Sequence, residues 1–77
     1  MATTKFSIQN MTTKTIECQL EPECSPFDVR TGQTVHIRGE FSAEPPTIQL
    51  STLDSGDVFC SIFPGDGDVT VITPETR

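Results

Sequence analysis

One histidine, three cysteines and five basic side chains are all that 77 residues offer to catalysis, metal binding or phosphate recognition. That scarcity narrows the chemistry before any fold is considered. No glycine-rich phosphate loop and no activated nucleophile stands out, and a basic face has too few residues to form. No stretch approaches the roughly 20 apolar residues of a membrane span, and the first residues, Met1-Ala2-Thr3-Thr4-Lys5, lack the apolar core of a secretory signal. The chain therefore reads as a cytoplasmic protein without membrane contact. Nowhere does a 3.6-residue apolar period run for more than a few residues, and prolines and glycines interrupt any candidate helix.

Charge is also unevenly placed. The first 39 residues balance Lys5, Lys14, Arg30 and Arg38 against Glu17, Glu21, Glu23 and Asp28. The remaining residues set Glu40, Glu44, Asp54, Asp57, Asp66, Asp68 and Glu75 against Arg77 alone, so this half carries the whole net charge of −6. Such a surface repels phosphate backbones and anionic lipid, which argues against nucleic acid or membrane as a partner. Solubility is its simplest role.

What the chain does contain is period-two alternation between turn signals. Phe6 and Ile8 alternate with polar neighbours, as do Ile16, Cys18 and Leu20, and both segments read as half-buried strands. Asn10-Met11-Thr12-Thr13 between them suggests an antiparallel hairpin, and its Asn-Met-Thr sequon reads as turn chemistry. Glu21 to Pro26, with two prolines, reads as a loop or bent edge. Phe27 and Val29 form a short strand. Val35 and Ile37 point inward from the next, and Gly39 to Pro46 is an irregular crossover. Asp54-Ser55-Gly56 suits a three-residue hairpin loop with Gly56 in the left-handed conformation, which pairs Leu50 with Cys60 and Ile48 with Ile62; a four-residue loop would instead put Ile48 and Leu50 on the face of Phe59 and Phe63. Pro64-Gly65-Asp66-Gly67 then leads to a strand containing Val69 and Val71.

Seven short strands with turns roughly every ten residues predict one all-β domain over residues 1–77, frayed at about 1–4 and 74–77. The expected architecture is a small antiparallel two-sheet sandwich with Greek-key connections, immunoglobulin-like or cupredoxin-like, with a barrel as the second choice. A chain this short buries only about 60% of its unfolded surface, so a partner, disulfide or metal would add usefully to its stability.

Cys18, Cys24, His36 and Cys60 match a four-ligand zinc set in number but not in spacing, since structural sites draw ligands in close pairs and five residues separate Cys18 from Cys24. Cys18 and Cys60 lie in phase with apolar neighbours, as core thiols do; a Cys18–Cys60 disulfide and a metal site are the alternatives. Cys24 lies in a proline-bounded loop where a thiol is accessible, and His36, alternating outward, is the one base for it. The aspartates at 54, 57, 66 and 68 sit in two loops expected at opposite ends of one strand, too far apart for a shared calcium ion. Phe59, Phe63 and Ile72 are turned away from the core, with Phe59 opposite Ile72 in a four-residue hairpin, as an apolar stripe covered by Phe41 and Glu44-Pro45-Pro46 or by a partner.

The runs Phe6-Ser7-Ile8-Gln9-Asn10-Met11-Thr12, Leu20-Glu21-Pro22 and Phe27 through Ile37 resemble small bacterial β-sandwich proteins of about this length that have no assigned function. The resemblance implies the fold and transfers no site. Residues Pro26 to Ile37 are also similar to an early strand pair of cupredoxins, but their copper needs two histidines and a cysteine, and His36 stands alone.

The resulting expectation is a non-enzymatic protein–protein interaction or accessory module without a cofactor. It would act through an apolar sheet face (Phe59, Phe63, Ile72, Phe41) or an edge strand, as a homodimer or with another protein. The alternative is a small metal-binding or redox domain built on Cys18, Cys24, His36 and Cys60. A weaker third is an enzyme assembled between subunits around Cys24 and His36.

Overall fold

The computed structural model describes residues 1–72. They form seven strands: β1 (Ala2–Gln9), β2 (Ile16–Leu20), β3 (Ser25–Val29), β4 (Thr34–Phe41), β5 (Thr47–Thr52), β6 (Val58–Phe63) and β7 (Asp68–Ile72). These lie in a three-stranded sheet ordered β1-β4-β7 and a four-stranded sheet ordered β3-β2-β6-β5. The arrangement is the all-β two-sheet sandwich that the alternation predicts, and the sheets do not close into a barrel.

Alternation explains why both sheets bury one face. Val35 and Ile37 of β4, Cys18 of β2, Val29 of β3 and Cys60 and Ile62 of β6 form the buried core, with Phe6, Ile8, Ile16, Leu20, Phe27, Val69 and Val71 packed around it. Of these, the buried Val29, Val35, Ile37 and Ile62 each contribute on the order of 1.5–3 kcal/mol.

The connectivity departs from the expected hairpins at both ends of the chain. β1 and β2 do not pair; β1 pairs with β4 in one sheet and β2 with β3 in the other. Asn10 is the physical reason. Its side chain is fully buried, donating from Nδ2 to the carbonyls of Lys14 and Val29 at 2.8 Å each and accepting the Thr12 amide and hydroxyl at 2.9 and 2.6 Å. A residue used this way turns the chain from one sheet into the other. Both Nδ2 hydrogens are spent inside the fold, so the sequon is a structural turn.

β6 and β7 also fall in different sheets, with β7 pairing with β4. The supposed Phe59–Ile72 pair is therefore absent, and Ile72 lies opposite His36. The sandwich is not wholly antiparallel, because β2 and β6 run parallel. The long stretch between these strands leaves ample chain for the crossover that parallel pairing needs.

The β5–β6 hairpin follows its expected register, and three other segments differ in extent. β5 pairs with β6 in the three-residue-loop register, Ile48 opposite Ile62 and Leu50 opposite Cys60, and Gly56 has φ +93°. Pro26 lies within β3, which is tolerated because β3 is an edge strand. The crossover after β4 is shorter than expected, since β4 continues through Gly39 to Phe41, and the chain start is paired rather than frayed, with Ala2 opposite Phe41. Residues 74–77, expected to fray, lie outside the described residues.

Candidate functional site

The four polar candidates do not converge. Cys18 and Cys60 are Cα partners in the parallel β2–β6 ladder, both facing the core and both 2% exposed. Cys24 is exposed at the end of the turn that carries the cis Glu21–Pro22 peptide, its Sγ 3.6 Å from Glu21 Oε1. His36 lies in the other sheet, on the outward side of β4, with Nδ1 2.8 Å from Ser7 Oγ. Among the described residues no group of three or more histidine, cysteine or acidic side chains is arranged to hold a metal ion.

The electrostatics of the thiols follow from these positions. Contact with Cys60 and burial push the Cys18 thiol far above its ordinary range, with a smaller contribution from Asp28. The same contact lowers Cys60, because the Cys18 proton stabilises a negative Cys60 sulfur and outweighs burial. Cys24 is raised chiefly by the Glu21 carboxylate beside it. That is the opposite of what activates a nucleophilic cysteine.

The aspartates have structural tasks. Asp66 accepts the backbone amides of Ser42 and Ala43 at 2.8 Å each and of Glu44 at 3.1 Å, which ties the β4–β5 crossover to the β6–β7 turn and holds its carboxyl pKa below the ordinary value. Asp57 meets the Lys14 ammonium at 3.0 Å and the Ser55 hydroxyl at 3.1 Å, and these partners likewise hold its pKa below the ordinary value.

The expected apolar stripe is divided between sheets. Phe59 and Phe63 project from the outer side of β6, while Ile72 is on the outer side of β7. Phe59 is half-buried, with Glu17 and Ser51 as its neighbours across the ladders. Phe63, 39% exposed, shares a shallow cleft with Glu21, Pro22, Pro64 and Gly65. Phe41 is half-buried at the end of β4, paired with Ala2.

A different apolar surface lies along β5. The register turns Ile48 and Leu50 toward the sandwich interior beside Ile62 and Cys60, yet they are 46% and 68% exposed. The physical reason is a mismatch of three strands against four, which leaves β5 uncovered. Between the free edges of β1 and β5 runs a groove of about 380 Å³ lined by Thr4, Phe6, Ser7, Pro45, Pro46 and Ile48.

Edge strands usually carry a charge or proline that discourages pairing with another chain. Here β1 has Lys5, β3 has Pro26 and Asp28, and β7 has Asp68. β5, Thr-Ile-Gln-Leu-Ser-Thr, has neither. That sequence signal was legible without a structure; the exposure of Ile48 and Leu50 was not.

Comparison with protein-family models, with characterised proteins and with solved structures finds no match for this chain.

Proposed function

We propose that this protein is a non-enzymatic interaction module that pairs with a second copy of itself along β5. The observation that carries the reading is the exposure of Ile48 and Leu50 on the one edge strand, among the described residues, that lacks charge and proline. An uncovered edge offers a row of unpaired backbone donors and acceptors, and strand addition satisfies them.

Self-pairing follows from the alternation. With the two copies antiparallel about Gln49, Ile48 of each lies opposite Leu50 of the other, on the same face. The four side chains then form one apolar patch that continues the core. Charge favours the same edge: with a net charge of −6, two copies repel over most of their surface but meet no like charge along β5. The reading takes the cytoplasm as the compartment, where Cys18, Cys24 and Cys60 rest as thiols until an oxidant reaches them.

Sedimentation velocity and native mass spectrometry test it. The unmodified chain should dimerise with concentration, and Leu50→Lys should be monomeric with an unchanged circular dichroism spectrum. A wild-type chain monomeric at high micromolar concentration would refute the self-pairing. If Phe59→Ser with Phe63→Ser dissolves the dimer while Leu50→Lys does not, the outer face of β6 is the interface instead.

A further inference from the structure

We propose that Cys18 and Cys60 form an oxidisable dithiol that closes into a disulfide across the β2–β6 ladder when peroxide reaches the core. The ladder makes the two residues Cα partners, and inward alternation places both side chains on one face. Neighbouring strands lie about 4.8 Å apart, inside the span of about 4.4–6.8 Å over which bridged cysteines are found. Closing the bond draws the two Cβ atoms to about 3.8 Å, a short approach from the strand spacing.

Among the described residues this is the one place where two thiols meet, since Cys24 is exposed beside Glu21. The two cysteines also differ in role. Contact between the two thiols and burial raise Cys18, while the same contact lowers Cys60; Cys18 Sγ also lies 3.9 Å from the Ile16 carbonyl oxygen.

The reaction balances with hydrogen peroxide as the oxidant. The Cys60 thiolate attacks one peroxide oxygen, the O–O bond breaks and hydroxide leaves, so Cys60 becomes a sulfenic acid. The Cys18 sulfur then attacks the Cys60 sulfur, the S–O bond breaks, and the departing hydroxide takes the Cys18 proton to leave as water. The first hydroxide takes up the proton that Cys60 lost on forming its thiolate, so two thiols together lose two electrons and one peroxide becomes two waters. Both sulfurs are buried, so local opening of the sandwich controls the rate, and a water-sized oxidant reaches them where a bulky disulfide reagent does not. The closed bridge joins the two central strands of the four-stranded sheet and constrains the unfolded chain.

The test uses Cys24→Ser, which removes the exposed thiol. Peroxide treatment of the folded protein should lower its intact mass by about 2 Da, the loss of two hydrogens on forming one S–S bond. Peptide mapping should recover Cys18 joined to Cys60, and dithiothreitol should restore both thiols. Adding Cys18→Ala should abolish the mass loss, and the map of Cys24→Ser alone decides the question if that double variant does not fold. Two thiols that alkylate once the treated protein is denatured, Cys60 carried to sulfinic acid with Cys18 free, or bridges found only between chains would each overturn the proposal.

Discussion

Asn10 and Val29, at the ends of β1 and β3, are joined by a 2.8 Å hydrogen bond from the Asn10 amide to the Val29 carbonyl, inside a core where both residues are fully buried. One side chain thereby holds a strand end in one sheet against a strand end in the other. Because every polar atom of that amide is used, its removal leaves several groups unsatisfied at once.

Asn10→Ala should therefore destabilise the fold by about 3 kcal/mol, since each buried group left unpaired costs on the order of 1–3 kcal/mol. Asn10→Asp should be at least as harmful, because a carboxylate presents acceptors to the carbonyls of Lys14 and Val29. Urea denaturation followed by circular dichroism measures both. A loss below about 0.5 kcal/mol, the range of an ordinary surface change, would contradict the assigned role.

Glycine positions should differ in cost. A side chain at Gly67 would collide with the Glu40 carbonyl, and its Cβ would stand 2.8 Å from Phe41 Cα, both rigid backbone. Gly56 has open space and a positive φ, so alanine there meets only the conformational penalty, about 1 kcal/mol. Thermal melts of Gly67→Ala and Gly56→Ala should show the first as clearly the more damaging; equal losses would refute the close approach.

Acid should act through Asp66. Its folded carboxyl is held below the ordinary value by three backbone amides, so the contribution is complete above the unfolded value of about 3.9 and is lost as pH falls through the lower folded value. Asp66→Asn removes this titration. Its melting temperature should fall less steeply than the wild type's between about pH 4.5 and pH 2, below and around that unfolded value. Parallel curves would show that the carboxylate contributes nothing through these bonds.

Cys24 should be the single thiol that alkylates in the folded protein, yet do so slowly. Glu21 beside it disfavours the thiolate that reacts. At pH 8, Glu21→Gln should accelerate iodoacetamide labelling, measured by intact mass. An unchanged rate would show that the carboxylate does not govern the thiol.

The candidate surface was only half legible in the residues. The turn at Asp54-Ser55-Gly56 set the β5–β6 register, and with it the inward direction of Ile48 and Leu50, because a one-residue slip reverses every side chain of a strand. Their exposure depends on how many strands the opposite sheet supplies. For the same reason the Phe59–Ile72 stripe dissolves. The pairing assumed neighbouring strands in one sheet, whereas the turn after β6 carries the chain across the sandwich.

By itself the sequence determined the strand positions, the turns, the buried alternation and the acidic character, all of which follow from local sterics, period-two patterning and side-chain chemistry. Only the tertiary structure decided which strands are neighbours. Sheet order depends on the packing of distant segments, and local alternation reads the same whichever sheet receives the strand. That choice buries Asn10 as a tie between sheets, brings Cys18 beside Cys60, sends His36 to the far side of the other sheet, and leaves β5 without a cover.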